Sequence, residues 1–81
     1  MNHEKLKAVN SIIERRKEGT AQYLANYLSI SKSMFHRYIN YMRTEMKAPI
    51  EYNKRKKCYE YTRDGELGMD GWKSGSGRNV R

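Results

Sequence analysis

The chain of 81 residues has room for one small domain, and a domain of this size buries only about 60% of its unfolded surface, which leaves little space for a large catalytic cavity between lobes. Its residues are 37% hydrophobic and 32% charged, too apolar for a wholly disordered chain, and 17 Lys plus Arg against 9 Asp plus Glu give a net +8, too basic for a neutral scaffold. No apolar run approaches the roughly 20 residues that span a bilayer, the polar start at Met1-Asn2-His3 is no secretory signal, and the lone Cys58 has neither a disulfide partner nor metal-ligand neighbours, so a soluble, cytoplasmic protein without cofactor or metal is expected.

Leu6, Val9, Ile12 and Ile13 recur at helical spacing and predict a first helix over residues 3–18. Gly19 is placed for a left-handed ending, and Thr20 for the cap of the next helix. A short second helix is expected over residues 21–28, with Tyr23, Leu24, Tyr27 and Leu28 as packing positions and Ala25 small enough for another helix to cross closely. Ser29-Ile30-Ser31 breaks that pattern, and Ser31 caps a third helix running to Met46 or Lys47. Phe35, Ile39 and Met42 form its apolar stripe, flanked by Tyr38 and Met46. The opposite side presents Lys32, Ser33, His36, Arg37, Asn40 and Arg43. Ala48-Pro49 ends the helix, because proline steers the residue before it away from helical dihedrals.

The apolar period then switches from helical to two. Ile50 and Tyr52, then Tyr59 and Tyr61, alternate with polar neighbours, which predicts two short strands joined by Lys54-Arg55-Lys56-Lys57. Adjacent cations at a hairpin tip repel one another, and a purely structural turn favours Gly, Asn or Asp. An anionic partner accounts for them better than an edge blunted against aggregation does. The domain is therefore read as residues 1–62. Residues 63–81 hold five of the six glycines and no apolar period, so a flexible tail is expected there, with Trp72 alone placed to dock on the core or on a second subunit.

Charge follows the same division. Residues 31–57 hold eight Lys or Arg against Glu45 and Glu51, whereas residues 58–81 carry four of each sign. Positive charge gathered on one helix and one turn is the footprint of a polyphosphate partner, because each phosphate neutralised releases condensed counterions. His3 and His36 lack ligand neighbours, and no apolar pocket or glycine turn supports a Ser/His/acid triad, so neither a metal site nor catalysis is expected.

Helix, short helix, tight turn, basic helix and hairpin follow one another in the order of a three-helix winged helix-turn-helix, mainly α with a small β-hairpin. Residues from about Ile12 to Tyr61 resemble the winged helix-turn-helix domains of DeoR-type bacterial regulators. Gly19-Thr20-Ala21-Gln22-Tyr23-Leu24-Ala25-Asn26-Tyr27-Leu28-Ser29-Ile30-Ser31 is similar to that family's second helix and turn. Ser31-Lys32-Ser33-Met34-Phe35-His36-Arg37-Tyr38-Ile39 resembles its recognition helix, and Ala48-Pro49-Ile50-Glu51-Tyr52 with Tyr59-Glu60-Tyr61 its wing. The chain departs from the family pattern in having Ser29 where Gly is frequent in the turn, Met34 for Thr and Tyr38 for an acid, and its wing has no Gly before the second strand.

The resemblance implies sequence-specific binding of double-stranded DNA by a small transcriptional regulator. A B-DNA major groove about 12 Å wide admits one α-helix. The third helix is expected there, with Lys32, Ser33, His36, Arg37 and Asn40 at base edges or flanking phosphates, Arg43 on the same face, and Ser31 with the free amides at a phosphate oxygen. Lys54, Arg55, Lys56 and Lys57 then contact the backbone or reach the minor groove. Competing readings are a winged-helix adaptor for an acidic protein, an architectural accessory protein of a mobile element, or a binder of RNA or single strands, which needs exposed sheet aromatics. Tyr52, Tyr59 and Tyr61 are instead expected to face inward, while Tyr38 and Tyr41 are open as dimer contacts or groove-edge residues. One helix reads only a half-site, so a homodimer is expected, with the first helix and the Trp72 segment as candidate interfaces. No effector domain for a small molecule is evident.

Overall fold

A side-chain oxygen of Asn2 accepts the Lys5 amide at 3.0 Å and starts the first helix at His3. The computed structural model describes residues 2–75, and in it this helix, α1, runs His3–Glu14 and buries Val9, Ile12 and Ile13. It stops short of residue 18 because Arg16 turns left-handed, with φ 52°. The Arg16 amide donates to the Ile13 carbonyl and the Lys17 amide to the Ile12 carbonyl, both at 3.1 Å, the paired bonds of a Schellman ending. The left-handed ending expected at Gly19 therefore falls earlier and on an arginine. Gly19 serves a different purpose: its φ of 152° and its nearness to Tyr23, whose Cδ2 lies 2.5 Å from where a Cβ would stand, exclude a side chain there.

The Thr20 hydroxyl accepts the Tyr23 amide at 3.1 Å and caps α2, Ala21–Tyr27, which buries Leu24 and Ala25. Its ending repeats the first one. Ser29 takes φ 61°, its amide donates to Asn26 and that of Ile30 to Ala25, each at 3.0 Å. Lys5 Nζ donates to the Leu28 carbonyl at 2.7 Å, fastening the start of α1 to the end of α2. The Ser31 hydroxyl then accepts the Met34 amide at 3.0 Å and opens α3, Lys32–Thr44. This helix buries Phe35, Tyr38, Ile39 and Met42 and ends before Met46, where the chain turns through a left-handed Lys47 at φ 59°.

Ala48 and Pro49 lead into β1, Ile50–Asn53, which pairs antiparallel with β2, Cys58–Tyr61, so that Ile50 faces Tyr61 and Asn53 faces Cys58. An isolated antiparallel bridge between Glu18 and Cys58 lays the α1–α2 link along the free side of β2. Three helices and this hairpin make a winged helix-turn-helix layout, mainly α with a small β component.

The flexible tail expected from residue 63 is corrected over its first part. Residues 65–74 form a second antiparallel hairpin, β3 (Gly65–Gly68) with β4 (Gly71–Ser74); the rest of that expectation, beyond Gly75, lies outside the described residues. Short strands with so little side chain hold their place by docking. The Trp72 amide donates to the Met46 carbonyl at 2.7 Å, beyond the end of α3, and the indole packs on the Tyr61 ring with centroids 4.5 Å apart. Gly71, at φ 133°, permits this approach, since a Cβ there would lie 3.2 Å from the Met46 carbonyl oxygen. Trp72 Nε1 is buried and has no hydrogen-bond partner among the described residues.

Candidate nucleic-acid interface

Helical periodicity sorts α3 into two sides. Phe35, Tyr38, Ile39 and Met42 point into the core, and Lys32, Ser33, His36, Arg37, Asn40 and Arg43 are all exposed on the other side. No acid lies within the helix. Ser31, also exposed, has its hydroxyl occupied by the Met34 amide, while the Lys32 and Ser33 amides have no acceptor within the helix. The polar face thus begins with donors at a helix N-terminus, where the backbone dipole favours an anion.

Two contacts fix the direction of the wing. Arg43, in the last turn of α3, donates from Nε to the Ile50 carbonyl at 3.1 Å, where β1 begins. Phe35, in the first turn, meets the Tyr59 ring edge-on at 5.3 Å, and Tyr59 in turn meets Tyr52 at 4.9 Å. The hairpin therefore runs from the last turn of α3 toward its first turn, and its tip meets the α1–α2 link at Gly19. Lys54, Arg55, Lys56 and Lys57 occupy that tip, all exposed, and none forms an ion pair among the described residues. Asn53 Oδ1 accepts the Lys56 amide at 2.9 Å, Lys57 takes φ 56°, and the Lys57 carbonyl accepts the Gly19 amide at 2.8 Å. A turn of four cations is thereby shaped by its own backbone and by the α1–α2 link.

The wing also carries two acids. Glu51 and Glu60 stand opposite each other in register, and Glu60 is engaged by Arg16 at 3.3 Å and by Asn53 Nδ2 at 3.2 Å. Two phenols of β2 are shifted by their surroundings. Burial pushes the Tyr59 phenol up, with Arg43 drawing it partly back, and burial together with the Glu14 carboxylate pushes Tyr61 further up. The Tyr61 hydroxyl donates to Asn10 Oδ1.

Ser31 caps α3, Lys32, Ser33, His36 and Arg37 lie in its first half, Asn40 lies midway along the helix, and Arg43 stands at the far end as a tether to β1. The tyrosines depart in part from expectation. Tyr38 is 1% exposed and belongs to the core, neither a dimer contact nor a groove-edge residue. Tyr23 and Tyr27, expected to pack, are each 52% exposed, because Leu24, Ala25 and Leu28 already fill the narrow buried stripe of so short a helix. Lys17 Nζ lies 4.3 Å from the Tyr27 centroid and 5.9 Å from that of Tyr23. This exposed aromatic pair at i, i+4 is a surface feature that sequence reasoning assigned to the core.

No family model, curated protein or solved structure matches this chain. Among the described residues no helix is long and apolar enough to cross a membrane, and no group of His, Cys, Asp and Glu could hold a metal ion.

Proposed function

We propose that this protein binds double-stranded DNA in a sequence-specific way, as a small transcriptional regulator acting in the cytoplasm, with α3 in the major groove and the wing tip on the backbone or in the minor groove. The observation that carries this reading is the pairing of an acid-free, exposed polar face on α3 with a turn of four exposed cations on the hairpin that packs against the same helix. Arg37 pairs with guanine and Asn40 with adenine through bidentate contacts, each discriminating by about 1–3 kcal/mol. Ser31 and the first amides of α3 hold a phosphate, and Lys54, Arg55, Lys56 and Lys57 position the duplex. The likeness to DeoR-type domains supports the same docking.

Duplex is favoured over single strands by the fate of the sheet aromatics. Tyr59 is buried, and Tyr52 and Tyr61 are half-buried and engaged with other rings, so the hairpin offers no stacking platform. Selection of bound duplexes from a random pool tests the reading, and an enriched palindrome is the expected result. With about six phosphates neutralised, log affinity falls against log salt with a slope of roughly −5. A slope flatter than about −2, or competition by poly(U) as strong as by duplex, would overturn it.

A further inference from the structure

The second hairpin carries a side chain that its turn does not need. Met69 and Asp70 join β3 to β4, and Met69 is 89% exposed. A hairpin loop is served by Gly, Asn or Asp, so the thioether has no task in the turn itself. Beside it lies a cleft of about 470 Å³ between α1, the end of α3 and β3. Leu6, Tyr41, Leu67 and, at its edge, Met69 itself give the cleft apolar lining, Lys7 gives it a cation, and no acid lines it.

We propose that this turn and cleft form a two-fold interface with a second copy of the chain. Met69 of each copy enters the cleft of the other, and Asp70 of each copy meets Lys7 of the other. Apolar knob and apolar cleft, acid and cation, lie on one face of one chain, and a two-fold axis brings each feature onto its complement at once. Neither Lys7 nor Asp70 has an ion-pair partner among the described residues, so both charges are free for the second copy. The cleft reaches the last turn of α3 at Tyr41 and the segment beyond it at Met46, and none of residues 54–57 lines it. Pairing therefore leaves the basic face uncovered and does not depend on what that face binds.

Sedimentation of the full chain without DNA, from low micromolar to submillimolar concentration, tests the interface. The unaltered protein shows a concentration-dependent monomer–dimer equilibrium. Met69→Asp weakens it at least about tenfold, since each copy loses the burial of one large side chain. Lys7→Glu and Asp70→Lys each weaken it by about two- to fivefold, and the two combined restore it. All three positions are exposed, and circular dichroism establishes that each variant folds. A monomer at every concentration, an association unchanged by Met69→Asp, or a charge exchange that fails to restore it overturns the proposal. Because DNA is absent from the experiment, such a failure leaves the duplex-binding reading untouched.

Discussion

The carbonyl of Lys57, the last cation of the wing tip, accepts the Gly19 amide at 2.8 Å, so the tip is fastened to the link between α1 and α2. Gly19→Ala strains this fastening, because an L-residue tolerates φ 152° poorly and the new methyl meets the Tyr23 ring. The substitution lowers unfolding free energy by at least about 1 kcal/mol. Ser29→Gly acts with the opposite sign: relief of a left-handed serine at φ 61° outweighs the added chain entropy and raises stability by up to about 1 kcal/mol. Urea titration of both variants reads the two directions, and the same sign in both would contradict this account.

Arg43 has an architectural duty within the basic face. Arg43→Met keeps the aliphatic stem but removes the donor to Ile50, at a cost of about 0.5–1.5 kcal/mol. Amide exchange in residues 50–53 accelerates relative to α3. Unchanged exchange there would show that the hairpin is held without this tether.

Reading and positioning are separable. Arg37→Ala relaxes preference among base pairs, with about 1–3 kcal/mol of discrimination lost at one position. Arg55→Ala weakens all sequences alike and reduces the salt slope by about 1. Binding measured on a set of single-site operator variants distinguishes these outcomes, and the reverse pattern would exchange the roles of helix and wing.

The buried phenols give an alkaline limit. Tyr59 and Tyr61 both titrate above the ordinary value of 10.0 when folded, so they hold more protons in the native state than in the unfolded chain at high pH. Their contribution is complete below about pH 10 and is lost as pH rises through the folded values. Spectrophotometric titration of the native protein shows the Tyr59 and Tyr61 phenols ionising above the ordinary value of 10.0, and denaturation midpoints fall across the same alkaline range. Ionisation of Tyr59 and Tyr61 in the native protein at the ordinary value of 10.0 would refute the burial argument.

Much of this architecture is written in local chemistry. Thr20 and Ser31 announce their helices because a hydroxyl before an apolar stripe satisfies an orphan amide, and both hydroxyls do so. Phe35, Ile39 and Met42 are legible as core by spacing, and Lys54 to Lys57 as a turn by the switch in period. What escapes is set at long range. α1 looks longer than it is because nothing near Lys17 reveals that Glu18 will bridge to Cys58. The second hairpin has short, glycine-bounded strands without alternation, and its docking depends on Met46 and Tyr61, distant in sequence. Trp72 was its one signal. In the binding face, residue types and sidedness are readable, whereas the division of labour that makes Arg43 a tether emerges only from its bond to Ile50.

Trp72 is also the sole tryptophan of the chain, lodged with its ring nitrogen shielded from water at the joint between the second hairpin and the end of α3. Nature has thereby installed a fluorophore at the seam. Separation of the hairpin from the helices wets the indole and shifts its emission to longer wavelength, so opening of this joint can be followed by light in an unlabelled molecule.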